Sequence, residues 1–319
     1  MNISHAYRWL AATAAYASVL TAVACGTSVR AAVPPDAPAS TRAAALTPSL
    51  TKVMVIAEEN KTFAQVIGVS QAPYLTSLAR TYGSATDMTA NYPTACPSLA
   101  AYILLTSGGT GGICDDQGPK YHRLAASNIF GQLDAAHQSW RTYAENMPTP
   151  CDHTNSADGL FLVRHTPVAY YTSESGRCAS DDVALGTLTH GKLHHDLAAG
   201  TLPAYSFVTP DACDEMHGAP SCPSHRVSDG DTWLSHWIPA VMRGPDYQAG
   251  HLAIIITWDE GSATSNHIPT VVVSPSTRAI TSPIAFSHCS TLRTAEDILH
   301  LAPLGCAKTA TSMLGAFRL

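Results

Sequence analysis

The chain has 319 residues, 45% of them hydrophobic, and a formal net charge of −6. That is enough apolar material to fill the core of one large domain or two small ones. So mild a charge, with no dense Lys/Arg face, argues against a protein that grips the phosphate backbone of nucleic acid.

The first residues predict export. Arg8 precedes an Ala-rich apolar run from Trp9 to Ala24. The run has about the length of a signal-peptide core and is short for a membrane-spanning helix. Small residues allow cleavage near Ala24 or Ala31, so residues 1–32 are expected to be a signal peptide. Ala24-Cys25 also resembles a lipoprotein cleavage site, although Ala22 stands where a larger aliphatic residue is usual. The expected location is secreted or cell-surface, with no transmembrane segment in the mature form. Residues 33–50, rich in Pro and Ala and without a period, read as a linker. The folded domain is expected over 51–319.

Four apolar runs lack polar alternation, as strands covered on both faces do: "KVMVIA" (52–57), "AYSFVT" (204–209), "HLAIIITW" (251–258) and "TVVVS" (270–274). Helical patterns stand between them. In 72–83, Leu75, Leu78, Ala79 and Tyr82 share one face and Gly83 ends the run. Residues 98–108 are apolar almost all round, and further helical patterns cover 128–137, 181–200, 231–242 and 290–302. This alternation predicts an α/β fold, a mainly parallel sheet sandwiched by helices. Residues 109–180, richer in Gly, Pro and loops, are expected to form a cap insertion within the domain. Setting Cys25 aside leaves eight of the nine cysteines, an even number without a CxxC pair. That disfavours a zinc ribbon or a thioredoxin-like site and agrees with an oxidising compartment. Pairing neighbours in sequence gives Cys96–Cys114, Cys151–Cys178, Cys213–Cys222 and Cys289–Cys306.

In such sheets the site lies beyond the carboxyl ends of the strands. The first strand runs into Glu58-Glu59-Asn60 and the strand "HLAIIITW" into Asp259-Glu260. Carboxylates brought together in this way repel one another, so a divalent cation is their natural partner. Hard oxygens admit Ca²⁺, Mg²⁺ or Mn²⁺, and nearby histidines leave Zn²⁺ open. Ser98 stands at the start of an apolar helix, where a hydroxyl is usually a cap but where N–H groups and the helix dipole also favour an anion. An alkoxide there would attack phosphorus, with Thr94 as the competing hydroxyl. Among fifteen histidines, His217 follows a core strand together with Asp211 and Asp214, His267 precedes one, and His288 opens a helix.

These stretches, from "EENKTFAQVIG" (58–68) through "CPSLAAYILLTSG" (96–108), "LPAYSFVTPDACDEMH" (202–217) and "IIITWDEG" (254–261) to "HCSTLRTAEDIL" (288–299), resemble the secreted phosphoesterase family of bacterial acid phosphatases and phospholipases C. This is a branch of the alkaline-phosphatase-like superfamily, and the likeness spans nearly all of 52–316 in order. It is nearer to the small acid-phosphatase-like members, including those active on phosphoinositides. The resemblance implies a metal held by Glu59, Asn60, Asp259 and Glu260, with Ser98 as the covalent nucleophile. It also implies that His217, His267 and His288 bind phosphate oxygens or protonate the leaving group. The expected activity is hydrolysis of phosphate monoesters through a phosphoserine, on a phosphorylated small molecule or a phospholipid head group. The rivals are a phospholipase C-type phosphodiesterase and a catalytically impaired metal- or phosphoinositide-binding surface protein. The chain departs from the family where His-Pro-Ser and Leu-Pro-Asn-Tyr are usual, reading Cys96-Pro97-Ser98-Leu99-Ala100-Ala101-Tyr102, and it carries Asp211 where Asn is common.

Overall fold

Lys52–Glu58 sits in the interior of an eight-stranded sheet, with every residue from Val53 to Glu58 buried. The computed structural model describes residues 49–222, 226–262 and 264–319. The expected signal peptide, Cys25 and nearly all of the linker lie outside the described residues. The strands are β1 (Lys52–Glu58), β2 (Gly83–Thr89), β3 (Trp140–Ala144), β4 (Asp182–Ala184), β5 (Tyr205–Thr209), β6 (Leu252–Trp258), β7 (Thr270–Val273) and β8 (Ile280–Ser287). Across the sheet their order is β4-β3-β5-β1-β6-β7-β2-β8. All pairings are parallel except the two made by β7, so the carboxyl ends of β1, β3, β5 and β6 open on one edge.

Period-2 alternation divides β1 between two cores. Met54 and Ile56 pack with Trp233, Leu234 and Trp237 of the helix Arg226–Arg243. Val53, Val55 and Ala57 pack with Leu99, Tyr102 and Ile103 of the helix Leu99–Ser107, and with Leu292 and Ala295 of the helix His288–Ile298. Each such side chain, buried from both sides, contributes roughly 1.5–3 kcal/mol. Among the described residues no helix is long and apolar enough to cross a membrane.

The four anticipated strands are β1, β5, β6 and β7. The other four escape an apolar-run criterion for local reasons. β2 reads GSATDMT, and β8 shows mostly partial or full exposure and holds Pro283, as an edge strand can. The helix expected over 181–200 is a correction: Asp181 ends the short helix Cys178–Asp181, Asp182–Ala184 is β4, and the remaining helix is Lys192–Ala199. Gly186 and Gly191 break the run, with φ of 89° and 100°. A Cβ on Gly186 would lie 2.6 Å from the Gly191 Cα, so the chain crosses itself there. Residues 109–180, expected as a cap, contribute β3 to the sheet as well as loops and short 3₁₀ segments. The disulfides are Cys96–Cys114, Cys151–Cys178, Cys213–Cys222 and Cys289–Cys306, the sequential pairing.

Candidate active site

The end of β1 sends two carboxylates in opposite directions. Glu58 continues the Met54–Ile56 face, while Glu59 continues the Val55–Ala57 face toward the helix Leu99–Ser107. Asp259, one residue past β6, follows Thr257 onto the Glu59 side, and its backbone N–H donates to the Glu58 carbonyl at 2.9 Å. Asn60 then turns the chain with φ 56°, a left-handed conformation that asparagine tolerates. Its backbone N–H donates to Asp259 Oδ1 at 3.0 Å and its Nδ2 to Glu59 Oε2 at 2.6 Å. Glu59, Asn60 and Asp259 are thereby brought together from strands far apart in sequence.

Ser98 joins them. It is 3% exposed, and its Oγ donates to Glu59 Oε2 at 3.0 Å. The hydroxyl is not used as a helix cap: Ser98 itself has helical φ/ψ of −45° and −43°. The cap comes from Asp116, whose Oδ1 accepts from the Leu99 N–H at 3.0 Å. The Cys96–Cys114 disulfide brings the Asp116 segment alongside this helix start. Thr94 is exposed.

Glu260 lies at the margin, half-buried, accepting from the Tyr92 hydroxyl at 2.9 Å. His288 is fully buried at the N-terminus of its helix, and its Nε2–H donates to the Asp259 carbonyl at 2.5 Å. That proton is committed to holding the end of β6, while Nδ1 has no hydrogen-bond partner among the described residues, and burial lowers the imidazole to about 4. His217 is half-buried: Nδ1–H donates to the Gly218 carbonyl at 2.7 Å, and Nε2 accepts from Arg164 Nη2 at 3.0 Å. His267 faces elsewhere in its contacts, donating from Nε2 to the Thr86 carbonyl at 2.9 Å and stacking on Phe63 at 5.3 Å. Among the described residues, its hydrogen bonds and ring contacts do not reach the carboxylate cluster.

Three participants were not singled out in the sequence. His165 bridges two carboxylates, with Nε2 3.0 Å from Glu59 Oε1 and Nδ1 2.9 Å from Glu215 Oε2. It stacks on Tyr102 with centroids 4.9 Å apart. Glu215 comes from the same "PDACDEMHG" loop as Asp211 and Asp214, and its backbone carbonyl receives the Glu59 N–H at 2.7 Å. Arg164 pairs with Asp116 Oδ2 at 3.2 Å and touches His217. His165 and Arg164 sit in the short 3₁₀ segment Val163–His165, which carries no periodic signal.

The electrostatics are those of a site short of positive charge. Burial, then Asp259 and Glu215, push the Glu59 carboxyl well up, and burial raises Asp259. Burial and Asp259 take Glu260 up to about 7. Arg164 opposes the shift at Glu59, Glu215 and Glu260. Among the described residues, Asp259 Oδ2 is buried without a hydrogen bond, and Glu59 Oε1 has only the His165 Nε2 at 3.0 Å, out of hydrogen-bond geometry, a costly state for carboxylate oxygens in a low-dielectric interior. The residues therefore fit a divalent cation: it would occupy these lone pairs and return the carboxyls to their ionised form. Glu59, His165 and Glu215 also present ligand atoms all within 4.8 Å of one another.

The sequence model of the Phosphoesterase family matches residues 69–302, and the chain belongs to that family. A phosphatidylinositol-3-phosphatase of Mycobacterium tuberculosis is 28% identical over 269 residues, covering 84% of this chain and 83% of that protein. An acid phosphatase of Aspergillus fumigatus is 23% identical over 183 residues, 54% of this chain and 38% of that protein. In three dimensions, an alkaline phosphatase superfamily protein from Vibrio parahaemolyticus superposes with a TM-score of 0.57 at 11% identity, covering 84% of this chain and 72% of that one. The lipoteichoic acid synthase LtaP from Listeria monocytogenes gives 0.54 at 11% identity, covering 82% and 76%. These structural likenesses establish the alkaline-phosphatase-like α/β fold. Family membership makes the chain a phosphoric ester hydrolase acting on phosphorylated substrates.

Proposed function

We propose that this is an exported, metal-dependent phosphatase of the acid-phosphatase type, cleaving phosphate monoesters by way of a phosphoserine at Ser98. The observation that carries this reading is the Ser98 hydroxyl: buried, released from capping by Asp116, and hydrogen-bonded to Glu59. Glu59, Asn60, Asp259 and Glu260 would hold the cation. When bound, it supplies Lewis-acid stabilisation of negative charge on the serine and phosphoryl oxygens.

The chain's own residues do the rest. Glu59 orients Oγ and takes its proton. Oγ bonds to phosphorus as the bond to the alcohol oxygen breaks, and Arg164 offers its planar fork to the phosphoryl oxygens. Once Arg164 engages phosphate, His217 Nε2 is free to carry a proton to the departing alcohol. Burial lowers His217 from its ordinary value, so this proton is held on the acid side of neutrality, in keeping with an acid phosphatase. Water then bonds to phosphorus as the P–Oγ bond breaks, its proton passing to His217 and the proton on Glu59 returning to Oγ, and inorganic phosphate leaves. The named function of the mycobacterial relative favours a phosphoinositide head group as one substrate.

The test is Ser98→Ala. Hydrolysis of p-nitrophenyl phosphate should fall at least about 10³-fold with metal content unchanged. Unchanged turnover would remove Ser98 from the chemistry. Faster release from p-nitrophenylphosphorylcholine than from p-nitrophenyl phosphate would favour the phosphodiesterase reading.

A further inference from the structure

A cavity of about 400 Å³ is lined by none of the residues assigned above to the chemistry. Lys120, Arg123 and His153, all exposed, form its rim, and buried Tyr170 and Tyr171 are part of its wall. Among the described residues no Asp or Glu lines it. Acids outnumber Lys and Arg in this chain, 24 to 18, so a cavity edged by two permanent cations and a histidine, without a carboxylate, is a local reversal of charge. Such a cavity attracts anions.

Its cations are available. Among the described residues the Arg123 guanidinium has no hydrogen bond, ion pair or ring contact. Lys120 Nζ lies 5.6 Å from the centre of the Tyr121 ring and pairs with no carboxylate. The acids nearest to them in sequence are engaged. Asp115 meets His122 Nε2 at 2.5 Å, and Asp116 serves Leu99 and Arg164. Asp152, next to His153, accepts from the Thr149 and Thr154 hydroxyls, both at 2.9 Å. The frame is fixed as well: the Leu124 N–H donates to the Tyr170 carbonyl at 2.8 Å and the Thr172 N–H to the Leu124 carbonyl at 2.9 Å. The linked pair Cys151–Cys178 also lines the cavity and ties its wall.

Two short stretches of chain join this cavity to the catalytic side. Asp116, which caps the helix of Ser98 and pairs with Arg164, stands four residues before Lys120. Arg164 itself stands four residues before Val168 of the wall. Four residues reach at most about 14 Å. The two stretches run side by side, since a Cβ on Gly118 would lie 3.9 Å from Val163 Cγ1. The charges of Asp116 and Arg164 both act on the Tyr170 hydroxyl.

We propose that this cavity is a second phosphate-binding site, which holds a further phosphate group of the substrate while Ser98 attacks the one to be cleaved. The proposal rests on the phosphatase reading above and names its substrate class: a phosphate monoester that carries a second phosphate on the same molecule. Arg123 offers a planar fork and Lys120 a mobile point charge to the second phosphate. Anchoring that group would present the monoester to Arg164 and Ser98 in a restricted orientation. A phosphoinositide head group, with its diester phosphate beside a monoester, has this chemistry whether it sits in a lipid or is free in solution.

The test compares wild type with Lys120→Gln/Arg123→Gln on two soluble substrates: p-nitrophenyl phosphate, with one phosphate, and glycerophosphoinositol 3-phosphate, with two. The double variant should raise KM for the second by at least about tenfold and leave kcat/KM for the first within about twofold, which also shows that it folds. Equal effects on both substrates, or none on either, would overturn the site. Calorimetric titration of glycerophosphoinositol 3-phosphate into Ser98→Ala, with and without the double change, gives the same comparison without turnover. Its Kd should rise by the same factor. Weakened binding in a protein that hydrolyses neither substrate would overturn the phosphatase reading while keeping the cavity as a phosphate site. A last arm presents phosphatidylinositol 3-phosphate in phosphatidylcholine vesicles, where the loss should match that on the soluble analogue. A loss on vesicles alone would overturn the site and assign both cations to contact with a lipid surface.

Discussion

Glu58 and Glu59 are consecutive residues with the same side chain, each fully buried, yet they serve different halves of the molecule. Glu59 meets a hydroxyl, an imidazole and an amide, each placed by a separate element. Among the described residues Glu58 has no hydrogen-bond partner, and the charges acting on it are those of other acids and of Lys61. The period of the strand sends them apart, and what each face offers decides what each carboxylate can do. A hydroxyl within reach makes chemistry available; its absence leaves charge balance as the remaining task.

The comparison breaks first at Asp259, which shares the Glu59 face. Asp259→Asn should lower kcat/KM by about 10²–10³ and remove one equivalent of bound metal, seen by elemental assay beside steady-state kinetics. A variant that keeps both activity and metal would show that the Glu59 face does not hold the catalytic ion. Arg164→Lys should come next: it keeps the charge but loses the fork, and KM for p-nitrophenyl phosphate should rise about tenfold with a smaller change in kcat. A fall in kcat alone would place Arg164 outside substrate binding.

His165 is a positioning residue held between Glu59 and Glu215. His165→Ala should weaken metal affinity by about 10–100-fold, with most of the turnover restored at saturating metal. Turnover that stays low under saturation would point to a direct role. The smallest effect comes from a buried acid that belongs to neither face's cluster. Burial raises Asp182 to about 7, and its neighbour Thr142 donates to Oδ1 at 2.5 Å. A carboxyl raised in the folded state adds stability that is fully present below its ordinary pKa of 3.8 and is lost as pH climbs through 7. Asp182→Asn should therefore flatten the decline in stability between about pH 4 and 8, by no more than a few kcal/mol, and a chelator should leave that slope unaltered. Urea melts across this range check it.

How far these arrangements could be read from the chain depends on how local their cause is. β1, β5, β6 and β7 announce themselves because strands covered on both faces are apolar throughout. The acidic strand ends could be found for the same reason, since a charge that directly follows such a run needs an explanation. β2 and β8 pair with each other at the edge region of the sheet and carry too many polar residues to stand out. His165 and Arg164 are placed by a loop whose path is set by packing against Tyr102 and by a bond to Asp116, contacts that no spacing encodes. Asp116 is the most instructive omission. A serine before an apolar helix is ordinarily its cap, and only the cross-chain bond from Leu99 shows that this one has been released from that duty.

That release depends on a covalent link, because the cystine joining positions 96 and 114 keeps the substitute cap beside the helix it serves. In a thiol-rich cytosol the tie would be cut, Asp116 would drift from Leu99, and the serine would be drawn back toward the bare amides at the helix mouth. The free hydroxyl beside Glu59 is therefore a property of the oxidised chain, held in place by a bond that lies outside the site.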